Sequence, residues 1–286
     1  MRNKILYINT ENLKFFYRIN KELSRLGIKF EILNVKDKLP NTPSIILTTT
    51  QELSKFKSLY KNLNFLPYSY EKDFQHYILK VIAAYRIEYK EFYSELLFSI
   101  DPGTKQIGIV LFLDDLFLMS HTIYDKSVFI EFIKDIVNCF QKDNPSLLKL
   151  DFKFGNGVLA LTVELVKEIY NYFYDHQNMK ICLIDESKSS KSKFKDKRRR
   201  VTTKHEVSAL ILSLRKGIEV DQSNYFKAFK PNKILELLNK EGKNNKDNEI
   251  EDDLSNLEPI INKLLNNEIS LSESYEIVNT NAKIID

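Results

Sequence analysis

The stretch Ser99–Phe112, SIDPGTKQIGIVLF, places a carboxylate where an apolar run stops and a Pro-Gly turn begins. Asp101 can initiate the turn, as Asp often does. It can instead belong to a phosphate-binding turn, or hold a divalent cation. Three further acids sit in or beside apolar segments: Asp151 in LLKLDFKF, Glu186 in KICLIDES and Glu206 in TKHEVSALIL. Phosphodiester hydrolysis by two-metal catalysis needs carboxylates around cations about 4 Å apart. Mg²⁺ (or Mn²⁺) takes oxygen ligands and keeps several waters, so three or four acids from separate elements suffice.

Each acid also has a plain structural use. Asp151 lies between Lys149 and Lys153 on an alternating segment, which describes a salt-bridged polar face. Glu186 can be a strand-end surface residue. Glu206 completes a capping box, with Thr203 as N-cap and Glu206 three residues on. His205 beside it is a candidate proton donor, with a surface histidine as the simpler reading. His121, within a strand, reads as structural.

Between the last two acids runs Lys188–Arg200, KSSKSKFKDKRRR. Lys188, Lys191, Lys193, Lys195, Lys197, Arg198, Arg199 and Arg200 stand there against the single acid Asp196. Such a run neutralises backbone phosphates without reading bases. Phe194 is its only aromatic, which argues against single-strand stacking as the main mode. The alternative is a solvated loop.

The elements that position these residues follow from periodicity. KILYIN is a strand, and Glu11–Leu26 has apolar residues at helical spacing up to Gly27. IKFEILNV and SIILTT are further strands, so residues 1–75 form a small open α/β domain. Its acidic positions do not suit a phosphoacceptor domain, since Asn9-Thr10-Glu11 and Thr48-Thr49-Thr50 follow its first and third strands. Residues 76–95 read as a connecting helix. From Leu96 the order is β-β-β-α-β-α-β-loop-α, with Asp114-Asp115 as a hairpin turn. Residues 221–286 form an acidic helical and partly disordered tail, with helices expected at Pro231–Lys240 and Leu254–Leu265. From Pro231 onward, twelve Asp/Glu face six Lys.

The 286 residues are 43% hydrophobic and 12% aromatic, enough for a real core, with a net charge of +4. Cys139 and Cys182 lack metal-site spacing and read as buried thiols in a reducing compartment. No apolar run reaches the roughly 18 residues of a membrane span. The N-terminus is too polar for a signal peptide. A cytoplasmic protein that does not engage membranes is the expectation.

IDPGTKQIGIVLF resembles the first-strand motif of RuvC-type Holliday junction resolvases and the related YqgF-type nucleases, with Gly108 as the glycine of the returning strand. LIDES resembles the Asp-Glu-Arg segment of the YqgF type, with Ser187 in place of Arg. EVSALILSL resembles the acidic residue and small-residue helix that close both families' motifs, with Glu206 in place of Asp. The resemblance covers about residues 96–220. It implies an RNase H-like domain of mixed sheet, with Asp101, Asp151, Glu186 and Glu206 as catalytic, metal-binding acids. It also implies a metal-dependent nuclease acting on structured nucleic acid, DNA ahead of RNA, as a two-fold homodimer if junctions are the substrate.

Two other readings remain open. One is a catalytically degenerate RNase H-like module that binds nucleic acid or serves assembly, its N-terminal α/β domain contacting a protein partner. The other is an actin-like or sugar-kinase ATPase, whose phosphate motif Asp101-Pro102-Gly103-Thr104 also satisfies. That group needs a second such lobe and motif, which this chain lacks.

Overall fold

The computed structural model describes residues 5–33, 44–59, 63–87, 89–185, 194, 196, 198–220 and 254–283. The expected helix at Pro231–Lys240 and the polar segment after it lie outside the described residues. The chain divides into two compact units, Met1–Glu91 and Phe92–Asp286.

The first unit contains β1 (Ile5–Ile8), α1 (Leu13–Arg25), β2 (Phe30–Ile32), β3 (Ser44–Thr49), α2 (Thr50–Leu59), β4 (Asn64–Tyr68) and α3 (Phe74–Arg86). Its sheet is wholly parallel, in the order β2-β1-β3-β4. Asn12 caps α1 by accepting from the Phe15 N–H, and Gly27 ends it with φ of 64°, a conformation that favours glycine. Helix α3, read from sequence as a connector, belongs to this unit: its Tyr77 hydroxyl donates to the Leu66 carbonyl at 2.9 Å.

The second unit contains β5 (Glu95–Pro102), β6 (Ile107–Leu113), β7 (Leu116–Ile123), α4 (Phe129–Gln141), β8 (Lys149–Gly155), α5 (Leu159–Tyr172), β9 (Met179–Ile184), α6 (Lys204–Ser213) and β10 (Ile218–Glu219). Two helices follow, α7 (Leu254–Leu265) and α8 (Leu271–Lys283). The six-stranded sheet runs β10-β9-β8-β5-β6-β7. Strands β5, β6 and β7 are antiparallel neighbours, while β8 is parallel to β5, and β9 to β8. Asp114 and Asp115 turn the β6–β7 hairpin with φ of 47° and 68°, as a two-residue turn of this hand requires.

Alternation along β5 and β8 divides the core. Phe98, Phe152 and Phe154 stack on one face, toward α4 and α5 through Phe129 and Phe173. The other face packs Leu97, Val110, Phe112 and Phe117 against α6, α7 and α8. Helices α7 and α8 are therefore part of this unit's core. The Asp115 carbonyl accepts from the Leu271 N–H at 2.9 Å, and Asn267 bonds both the N–H and carbonyl of Phe117. Among the described residues, no helix is long and apolar enough to cross a membrane.

Candidate functional site

Strand register builds the site. Asp101 on β5 pairs with Gly108 on β6, and Gly108 with Thr122 on β7. The row two residues away is Ser99, Val110 and Ser120. Directly paired residues share a face, so an acid, a glycine, two serines and a threonine lie together beneath α6. The Ser99 hydroxyl donates to the Ala209 carbonyl of α6 at 2.6 Å.

The first turn of α6 straddles β6. A Cβ on Gly108 would collide with the carbonyl group of His205 and the N–H of Glu206, and one on Gly103 would collide with the His205 ring. With both side chains absent, His205 descends on one side of β6 and Glu206 on the other.

On the β5 side, His205 Nδ1 lies 2.8 Å from Asp101 Oδ2. A carboxylate accepts, so Nδ1 is the donor in this pair. Asp101 is 5% exposed. Burial pushes its carboxyl above the ordinary aspartate value, while His205, Ser208 and nearby Lys204 pull it back.

On the β7 side, Glu206 Oε1 accepts from Thr122 at 2.6 Å. Its Oε2 accepts from the Thr202 N–H at 2.6 Å and lies 2.9 Å from the Ser120 hydroxyl. Oε2 is also 3.4 Å from the Thr203 N–H, which closes the capping box expected from sequence. Burial would raise this carboxyl, but the hydrogen bonds outweigh burial and hold it below the ordinary glutamate value. Both of its oxygens are engaged, Oε1 by the sheet and Oε2 by the sheet and its own helix end.

Asp151 is not beside Asp101. It pairs with Leu97, four residues back along β5, or about 13 Å at ~3.3 Å per residue. Its Oδ2 accepts from Lys149 at 2.7 Å, the salt bridge anticipated for a polar strand face. Lys153 instead ties the sheet to the end of α6, where its Nζ donates to the Ser213 and Arg215 carbonyls. Burial pulls that lysine down to about 8.

Glu186 lies outside the described residues, as do Lys188, Lys191, Lys193, Lys195 and Lys197. The three arginines have separate roles. Arg200 is paired with buried Asp196 at 2.8 Å and donates to Asn266, and Arg198 also donates to Asn266. Arg199 is exposed, in the left-handed region with φ of 53°.

Among the described residues, the site brings together one carboxylate, Asp101, and one imidazole, His205, with Asp151 and Glu206 placed elsewhere and Glu186 outside the described residues. No group of three or more His, Cys, Asp or Glu among the described residues is placed to hold a metal. Mg²⁺ commonly takes one or two carboxylates with substrate phosphates and water. The donor set therefore fits a single-ligand contribution from Asp101, with His205 holding that carboxylate in place. His205 reads as a surface residue from its local sequence. The signal for its position was the pair of glycines, Gly103 and Gly108, which clear the space it fills. No family model and no curated protein matches this chain.

Proposed function

We propose that the second unit carries an RNase H-like domain, about residues 96–220, that hydrolyses nucleic-acid phosphodiesters with Mg²⁺ or Mn²⁺. Three antiparallel strands flanked by two parallel ones, with a helix closing over the first, support that topology. The observation that carries the reading is Asp101 at the end of β5 with His205 at 2.8 Å. When bound, the cation supplies the charge that activates water and stabilises a leaving oxygen. Asp101 would contribute a ligand, and Glu186 is the second acid proposed for it. His205 orients the Asp101 carboxylate through Nδ1.

The second reading, a binding module without catalysis, is favoured by the engagement of both Glu206 oxygens with β7 and its own helix cap. Divalent-metal titration separates the two. Wild type, Asp101→Asn and His205→Ala are incubated with single-stranded, duplex and branched DNA and RNA over a range of Mn²⁺ concentrations. Hydrolysis expects cleavage that rises with metal, is lost in Asp101→Asn and falls in His205→Ala. Binding by all three proteins without cleavage would leave the module reading standing.

A further inference from the structure

The paired residues Pro102, Ile107 and Ile123 form the last row of the β5-β6-β7 ladder beyond Asp101. Past that row lie the Thr104-Lys105 turn and Tyr124, while the first turn of α6, which carries Lys204, sits over the Asp101 row at the same end of the sheet. Tyr124 is 73% exposed, directly after β7. Lys105 and Lys204 are also exposed, and Lys204 is close enough to Asp101 to lower its carboxyl pKa. The adjacent acid, Asp125, is turned to its own chain, where it accepts from the Ser127 N–H. Tyr124 is two strands across and two residues beyond the Asp101 row, about 12 Å away at ~4.8 Å per strand and ~3.3 Å per residue. That is within the span of a few nucleotides.

We propose that Tyr124 is a stacking platform for an unpaired base and that Lys105 and Lys204 hold the flanking phosphates, so the site takes single-stranded or locally unpaired nucleic acid. The inference rests on the nucleic-acid reading above and adds its substrate class. An exposed ring with no competing ring contact among the described residues offers its face to a base, and every base has one to stack. A continuous duplex keeps its bases stacked internally and would meet only the two lysines. The basic segment's one aromatic, Phe194, packs against the core, so the stacking ring proposed here comes from the end of β7.

Binding of the full chain to a dT oligonucleotide and to a blunt duplex of equal phosphate number is measured in Ca²⁺, which limits turnover. Tyr124→Ala should weaken binding to the single strand by about tenfold, within the range of one base–aromatic stack, and leave the duplex nearly unchanged. Tyr124→Phe should restore single-strand binding. Lys105→Ser with Lys204→Ser should weaken both ligands and flatten the single-strand salt slope by about 1.4, at ~0.7 per phosphate. Unchanged single-strand binding in Tyr124→Ala, or an equal loss on duplex, overturns the stacking role and leaves the nucleic-acid reading standing. Failure of the wild type to bind either ligand overturns both. Thermal melting of each variant controls for folding, and the exposure of Tyr124 predicts no shift.

Discussion

Gly108 lies directly beneath the backbone of His205, with no room for a Cβ between β6 and the first turn of α6. This close approach lets one helix end address two strands, delivering His205 to Asp101 and Glu206 to Thr122. Gly108→Ala must displace the helix rather than a flexible side chain. We expect a stability loss of about 2 kcal/mol, as for overpacking, and loss of any Asp101-dependent activity. Wild-type denaturant midpoint and activity in this variant would remove the glycine from its spacing role.

Asp101 carries a raised carboxyl pKa because it is buried, despite the offset from His205, Ser208 and Lys204. The unfolded chain ionises this group near 3.9, more readily than the folded chain does. Its favourable contribution is therefore present below that pH and lost as pH rises through the folded value. Asp101→Asn, which has no such proton, should gain stability relative to wild type between pH 4 and 7. Urea unfolding at several pH values checks this, and a relative loss as pH rises would contradict it.

Glu206→Gln cannot be a silent isosteric change. The carboxylate accepts from Thr122, Thr202 and Thr203. A Gln carbonyl can replace Oε2 toward the two N–H groups, but its NH₂ then faces Thr122, whose hydroxyl must turn from donor to acceptor. The charge that strengthens these bonds is also lost. A cost of about 1–3 kcal/mol at neutral pH follows. Because the folded glutamate titrates below its unfolded value of about 4.3, wild type keeps this contribution above that pH. It loses the contribution as pH falls through the folded pKa, so the gap between the two proteins should narrow in acid. Equal melting temperatures at pH 7 would show that the cap is energetically idle.

Neighbouring arginines should behave differently. Arg200→Ser leaves Asp196, 1% exposed in its side chain, without its cation and should cost about 3 kcal/mol. Arg199→Ser should leave the melting temperature unchanged and flatten the duplex salt slope by about 0.9 if Arg199 meets one phosphate. Salt titrations and melts of the two variants separate these roles, and matched behaviour would refute the division.

In the first unit, the Thr48 hydroxyl is buried and finds no hydrogen-bond partner among the described residues. Replacing an unsatisfied buried polar group with an apolar one of similar shape relieves its desolvation cost. Thr48→Val should therefore raise stability by about 1 kcal/mol. A lowered denaturant midpoint would instead mean that a buried water satisfies the hydroxyl.

Local chemistry by itself determined much of this protein. Hydrophobic period set the element types from β5 through α6, Asp114-Asp115 specified a turn of positive φ, and Thr203 with Glu206 specified a helix start. Asp101 was legible as a strand-end acid because the Pro-Gly turn follows it. The tertiary structure alone decided which side chains meet. Register places Asp151 opposite Leu97 rather than near Asp101, and no local pattern states which residue of β8 pairs with which of β5. His205 and Glu206 are adjacent in sequence with opposite destinations, decided by the passage of α6 over Gly108. Arg200 is an ordinary basic residue until Asp196 and Asn266 close around it. Capping and turn preferences act over a few residues, whereas sheet register and helix docking are settled by the packing of the whole unit.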